Sequence, residues 1–443
     1  MRSFVRTSRF TWAATLLIAC GGAARLPVEA GMGPNPTLPP PRTSLIPVVK
    51  VAKAVGWTAG ARPIAAPGTI ANAFATDLEH PRWVHVLPNG DVLVAETASP
   101  PKPKEKGIRA WFMRRYFKKA GAAVPSANRI SLLRDANRDG VAETRSIFLR
   151  GLASPFGMAL AGNTLYVATA DAVLRFPYRE GQMTITAPGT KVVDLPAGLN
   201  HHWTKSLVAS PDGSRLYVGV GSNSNVAERG MEVEENRAAI LEIDPAAGTS
   251  RVFAAGLRNP VGLAWEPESG VLWAVVNERD ELGSDLVPDF LTSVKSGGFY
   301  GWPYSYYGQV VDDRVEPQRP DLIARSIKPD YALGPHTGSL GLAAAKGNLL
   351  PVRYRNGMFV GQHGSWNRRP FSGYQVIFVP FANGKPTGEL PIPLLTGFLS
   401  GDHAQGRPVG VAVHTSGAVL VADDVGNVVW RVAPAPATAS RSH

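Results

Sequence analysis

The chain has 443 residues, 44 % apolar and 18 % charged, with a formal net charge of +11, which exceeds one ordinary core and excludes a disordered chain. Glycine (46) and proline (38) make up about a fifth of it, well above average usage; this fits many short strands and tight turns and argues against a helical bundle. A single cysteine excludes a disulfide framework, a cysteine zinc cage, an iron–sulfur cluster and covalent c-type haem, and no phosphate-binding glycine motif or G-x-S-x-G elbow is present.

Residues 1–30 read as a targeting segment. Arg2, Arg6 and Arg9 precede a weakly polar to apolar run, 10–19, that is too short to span a bilayer. The run ends Leu17-Ile18-Ala19-Cys20, which resembles a bacterial lipobox, so lipid on Cys20 would explain the one cysteine. Cleavage after Val28-Glu29-Ala30 is the alternative, and either predicts export to the periplasm. Residues 31–75 are expected to form an extended lead, with the proline-rich stretch 33–41 as a tether.

Residues 98–127 form an insertion that holds most of the mature chain's charge. Between 100 and 119, Lys102, Lys104, Lys106, Arg109, Arg114, Arg115, Lys118 and Lys119 oppose only Glu105, a net +7. The spacing predicts a helix with Ile108, Trp111, Phe112 and Tyr116 on one face and Arg114, Arg115, Lys118 and Lys119 elsewhere. Such a helix either lies on an anionic membrane surface or packs on its own domain. One basic segment in an exported chain argues against nucleic acid. Next, Asp135-Ala136-Asn137-Arg138-Asp139-Gly140, with Glu143 following, copies the first half of a calcium-binding loop, but its twelfth place is Ser146. Lying between RISLLR and TRSIFL, it is explained equally by a plain Asp-Gly hairpin.

Across 76–434 one phrase recurs six times: a polar lead-in, a short apolar run, a turn, then an alternating apolar strand. Its copies start near His80, Ser154, His202, Asn259, Gly338 and Arg407. Each reads as strand, turn, strand, at spacings of roughly fifty to eighty residues, the size of a four-stranded blade with loops. The expected fold is all-β, a six-bladed β-propeller with a short basic helical insertion, and a flexible tail at 435–443. In such a ring the lead-in residues gather at one channel mouth. His201, His202, Arg258, Asn259, His336 and Arg407 would there suit a polyanionic ligand.

Five motifs in order, HHWTKSLVASPDG, GLRNPVGLAWEP, GGFYGWPYSYYG, GQHGSWNRRPFSGYQVIFVPF and GRPVGVAVHTSGAVLVADD, resemble the glucose/sorbosone dehydrogenase family, above all its sorbosone dehydrogenase branch. The resemblance covers nearly the whole mature chain. It implies a propeller that uses pyrroloquinoline quinone (PQQ) and calcium to oxidise an aldose or a sorbosone-like aldehyde, with a separate quinone or cytochrome as electron acceptor. It also implies roles for residues. His202 is the general base, taking the substrate hydroxyl proton as hydride leaves for the quinone. His201 stands beside the substrate where the family has an aspartate. Arg258 and Asn259 contact the cofactor, Arg258 polarising the reacting quinone oxygen. Arg407 holds a cofactor carboxylate, and Arg368 substitutes for a lysine whose place is taken by Gly364. A second arginine is missing at Val409, and a sugar-contacting glutamine is missing near Leu152. In the acidic loop 277–285, calcium ligands would be Asp280, Glu281 and Asp285, joined by the backbone oxygen of Tyr300. The competing readings are a calcium-dependent lactonase or esterase propeller using a metal-bound water, and a non-catalytic propeller that binds a sugar or a partner.

Overall fold

The computed structural model describes residues 22–44, 48–102, 107–347 and 349–436. Cys20, the apolar run before it and most of the expected tail lie outside these residues. The described chain is nearly all β, built on six sheets with four antiparallel strands each, with extra edge strands on three of them. The innermost strands are Pro81–Val86, Met158–Ala161, Leu207–Ala209, Pro260–Trp265, Ser339–Ala344 and Pro408–Val413. Each of these opens one copy of the recurring phrase. The second strands, such as Val92–Glu96, Leu272–Val276 and Val419–Asp423, are buried along their whole length. They read as continuous apolar runs because both faces are covered by neighbouring sheets.

The glycine inside the phrase has a packing reason. A Cβ on Gly262 would fall 2.5 Å from the Leu342 Cβ, and one on Gly410 would fall 2.9 Å from the Arg82 carbonyl oxygen. Gly341 likewise abuts the backbone of Val409, Gly219 that of Pro260, and Gly157 that of Leu207. Neighbouring inner strands therefore approach backbone to backbone, which only glycine permits. Between the first and second sheets, the rings of Trp83 and Phe156 meet at 4.7 Å. This arrangement is β-propeller-like.

Two boundaries differ from the sequence expectation. Thr69–Ala75 is the fourth strand of the last sheet, pairing with Val428–Pro434 in the register Pro434↔Thr69. The repeat architecture thus begins before residue 76. Residues 33–41 are not a free tether either. Met32 and Gly33 pair with Leu333 and Ala332 at the edge of the fourth sheet, Thr37 N–H donates to the Ala30 carbonyl, and Leu38 packs into a core cluster. Proline content alone suggested extension; the buried Met32 and the partly buried Leu38 are what dock the segment.

Helix α1, Ile108–Lys119, lies between the second and third strands of the first sheet. Its packed side is not the expected one. Trp111 and Phe112 are about half exposed, while Met113 and Tyr116 are partly covered and Phe117 lies 5.3 Å from the Trp366 ring. The expected face counted aromatic residues on the helix, but the neighbouring loop decides which of them is covered. No helix among the described residues is long and apolar enough to cross a membrane.

Candidate active site

The lead-in turn of the third sheet carries His201 and His202, and buried Arg237 fixes it. Its guanidinium donates to the carbonyls of Gly221 (3.0 Å), Pro196 and Ala197 (2.8 Å each), and to Asn200 Oδ1 at 2.8 Å. His202 then lies with Nδ1 2.8 Å from the Ser222 carbonyl oxygen. A carbonyl can only accept, so Nδ1 carries the hydrogen and Nε2 keeps its lone pair. Burial, followed by the charge of Arg258, holds its pKa well below the ordinary value, so the ring is neutral. A Cβ on Gly221 would fall 2.5 Å from the His202 Cβ and would overlap Asn259 Oδ1, so a glycine is what lets these two groups meet. His201 is exposed at the rim, its ring 4.8 Å from that of His202, and its carbonyl accepts from Lys102 Nζ at 3.1 Å.

Arg258 is buried beside this pair. It donates to Asn225 O and Oδ1 and to the Glu278 carbonyl, at 3.2, 3.0 and 2.8 Å. Its Nη2 stands 3.8 Å from Asp280 Oδ2. The other oxygen of Asp280 lies 3.2 Å from His336 Nδ1, and His336 Nε2 lies 2.9 Å from the Gly283 carbonyl. With acceptors at both nitrogens, His336 is an imidazolium: burial opposes the charge, but Asp280 raises its pKa. Burial would also raise Asp280, yet the hydrogen bond from His336 and the charge of Arg258 bring it down to about 2. Arg258, Asp280 and His336 thus form one charged network.

A second network joins the first, fifth and sixth sheets. Buried Asp424 accepts from Arg82 Nη1 at 2.5 Å and from His363 Nε2 at 2.9 Å, and its carbonyl meets His80 Nδ1 at 3.1 Å. Burial works against the Asp424 charge, but the facing His363, His80 and Arg82 hold its carboxyl far below the usual range. Burial likewise pushes His363 down to about 4. The Arg82 guanidinium stands 6.0 Å from the ring of Trp203, the residue after His202, which links the two networks. Arg407, wholly buried, donates through Nη2 to the Tyr374 hydroxyl at 3.2 Å. Its Nε and Nη1 have no hydrogen-bond partner among the described residues, nor do Arg82 Nε and Asn259 Oδ1. Most buried polar atoms are satisfied, so orphaned guanidinium nitrogens at a mouth point to an anionic ligand.

The expected calcium set does not assemble. Asp280 turns to His336 and Arg258, while Asp285 accepts from the backbone N–H groups of Arg25 (2.8 Å) and Leu26 (3.4 Å). Glu281 is exposed, lining a cavity of about 180 Å³ with Arg42 and Arg314. Tyr300 is buried in the core, its hydroxyl donating to the Ser293 carbonyl. Among the described residues, three histidine or acidic ligand atoms come within 4.8 Å of one another only at Asp135, Asp139 and Glu143. That loop joins Arg129–Arg134 to Thr144–Arg150 at the strand ends away from the mouth, as both readings of it required, and Asp135 accepts there from the N–H groups of Asp139 and Gly140. Arg368 differs from expectation as well: it donates to the carbonyls of Leu26 and Pro370 and stands 3.8 Å from Asp285. Both Asp285 and Arg368 hold the N-terminal segment, whose docking no local spacing announces.

Sequence reasoning missed Arg82, His363 and Asp424 and left His80 as a repeat start only. Arg82 and His80 occupy the lead-in of the first repeat, so the logic that found Arg258 and Arg407 could have found them. Asp424 had no such signal, because its partners lie 342 and 61 residues away.

A family model described as TrAA12-like matches residues 63–289 and 319–435. An uncharacterized protein of Borreliella burgdorferi is 27 % identical over 307 residues, covering 66 % of this chain and 79 % of that one. The pyrroloquinoline quinone-dependent pyranose dehydrogenase of Coprinopsis cinerea is 26 % identical over 265 residues, covering 50 % of this chain and only 35 % of that protein. Among solved structures, the holo form of the PQQ domain of the Coprinopsis cinerea pyranose dehydrogenase superposes with a TM-score of 0.67 at 20 % identity. That match covers 86 % of this chain and all of that one.

Proposed function

This chain belongs to the TrAA12-like family, and from that premise we propose that it is a PQQ-dependent dehydrogenase oxidising an aldose or a sorbosone-like aldehyde, its six sheets being the blades of one closed ring. The observation that carries the reading is Arg407: a wholly buried guanidinium with two unpaired nitrogens, beside a mouth that also holds Arg82, Arg258 and a neutral His202. An unsatisfied buried donor costs about 1–3 kcal/mol, which a carboxylate-bearing ligand removes.

When bound, PQQ would supply an ortho-quinone that accepts hydride and carboxylates for the guanidinium groups to hold. The chain does the rest. Arg407 and Arg82 bind anionic oxygens, and Asn259 and Arg258 orient groups next to His202. His202 Nε2, aimed away from the Ser222 carbonyl, receives the proton of the substrate hydroxyl. The acidic loop offers calcium no converged carboxylates, so no step is given to a metal. The same geometry weakens the hydrolase reading, which needs a ligand set for a metal-bound water. The sorbosone preference rests on the five motifs, and electrons would pass to a separate quinone or cytochrome.

The same reading puts the protein in the periplasm, lipid-anchored at Cys20. Its support is the docking of residues 22–31. Ser284 Oγ donates to the Gly22 carbonyl, Ala24 N–H to the Arg369 carbonyl, and Asp285 and Arg368 bond Arg25 and Leu26. Cleavage after Ala30 would strip all these partners. The mass of the mature N-terminus tests this, an unacylated chain starting after Ala30 being the contrary result.

The function is tested by adding PQQ and calcium to the quinone-free protein and following dye reduction with a panel of aldoses and sorbosone. Quinone-dependent reduction supports the assignment, and the substrate ranking separates sugar from sorbosone. No reduction, with no quinone absorbance retained after gel filtration, would sink it.

A further inference from the structure

We infer that helix α1 is a lipid-contact element that lays one side of the mouth against an anionic membrane surface. The helix carries no acid in its first turn, and Arg114, Arg115, Lys118 and Lys119 are all exposed. Between these cations stand aromatic side chains that a helix packed only on its own domain would cover. Trp111 is 47 % exposed and Phe112 48 %, their rings paired edge to face at 4.9 Å. The Arg115 guanidinium lies 5.1 Å over the Trp111 ring. Exposed indole and phenyl rings among lysines and arginines are the chemistry that enters a headgroup region, the rings at the acyl boundary and the cations on phosphates.

Position supplies the second argument. Phe117 fastens the helix to Trp366, and the loop that carries Trp366 also receives the start of the described chain, Ala24 N–H to the Arg369 carbonyl at 2.6 Å. Gly22, held by Ser284 Oγ at 3.0 Å, is two residues from Cys20. Two residues of extended chain reach only about 7 Å. A lipid on Cys20 would therefore place this loop, and the helix packed on it, at the bilayer surface. In this respect the inference rests on the anchor proposed above; the charge and the exposed rings do not depend on it.

The test separates the two. Full-length protein carrying Cys20→Ser, which cannot be acylated, is loaded with PQQ and sedimented with vesicles of phosphatidylcholine alone or mixed with anionic phosphatidylglycerol, at low and high salt. Binding should need the anionic lipid and weaken with salt. Trp111→Ala/Phe112→Ala and Arg115→Gln/Lys118→Gln should each lower partitioning by about tenfold or more, with dye reduction in solution unchanged. Doxyl-labelled lipid should quench a fluorescence component that Trp111→Phe removes. Equal recovery on neutral and anionic vesicles, or variants that bind like the parent, would overturn the inference. Variants that keep vesicle binding but lose electron delivery to a membrane fraction would overturn it too, making the helix a docking site for a protein acceptor. If native protein lacks acyl mass while the Cys20→Ser chain still binds anionic vesicles, the anchor falls and the helix role stands.

Discussion

Arg407 is wholly buried and His202 half-buried, for opposite reasons, and single substitutions should show it. Arg407 carries its charge into the core with Nε and Nη1 unpaired, an arrangement that lowers the stability of the ligand-free protein. Arg407→Met should therefore leave the melting temperature of the quinone-free protein unchanged or higher, while weakening PQQ by about ten- to a hundredfold, since charge-assisted hydrogen bonds contribute about 1.5–3 kcal/mol. Calorimetry beside a quinone titration reads both; a lower melting temperature with unchanged affinity would make Arg407 a structural residue. For His202→Gln the titration should not change, whereas kcat should fall by roughly 10²- to 10⁴-fold, the usual contribution of a positioned base. Because the His202 pKa lies well below its ordinary value, the acid limb of the native pH–rate profile should lie below about 6.5. Retained turnover would refute the assignment. Both residues were legible because the repeated phrase places each at the same point of its sheet. The Asp424 network was not, because it joins side chains from three sheets that share no local spacing.

The strands were easier to read than what lies between them. Every inner strand opens a copy of the phrase, and the second strands announce themselves as unbroken apolar runs. The glycine after the lead-in could be seen but not explained until the neighbouring inner strand was in place. Gly221 belongs to the same class of close approach, at the end of a second strand, and it separates Asn259 from His202. Gly221→Ala should cost about 1–3 kcal/mol through overpacking. It should also turn one of those two side chains away, so kcat/KM falls while the arginines proposed to hold the quinone remain in place. Steady-state kinetics and a thermal melt on the same sample test this; unchanged values in both would mean that the backbone yields without disturbing the site. The N-terminal segment shows why local reading reaches its limit. Its prolines say nothing of where it docks, and its start at Arg25 and Leu26 is held by Asp285 and Arg368, more than 250 residues away.

At the level of the whole molecule, the sheets gather histidines that fold neutral, and this sets how the protein responds to acid. Burial, chiefly, pushes His85 and His363 down to about 4 and lowers His80 and His202. The unfolded chain binds protons at these residues near pH 6.5, and the folded one does not until well below that. As pH falls from about 6.5 towards 4, the unfolded state gains protons and the native state loses ground; above 6.5 the contribution is complete. For His85 and His363 the difference is on the order of 3 kcal/mol each by about pH 4, at about 1.4 kcal/mol per unit. His336 runs the other way, because Asp280 raises its pKa, and so do Glu234, Asp289 and Asp423, whose carboxyls burial raises; His201, also lowered to about 4, joins the four histidines against them. The depressed carboxyls Asp280 and Asp424 favour the fold down through this window and lose that effect only at lower pH. The melting temperature should therefore fall steadily between pH 7 and 4.5, before the carboxylates titrate. His363→Gln, whose amide can still donate to Asp424 but takes up no proton, should flatten part of that slope. A melting temperature level across this range would mean that the histidines of the mouth and rim are open to water in the folded protein, and the neutral base proposed at His202 would lose its physical basis.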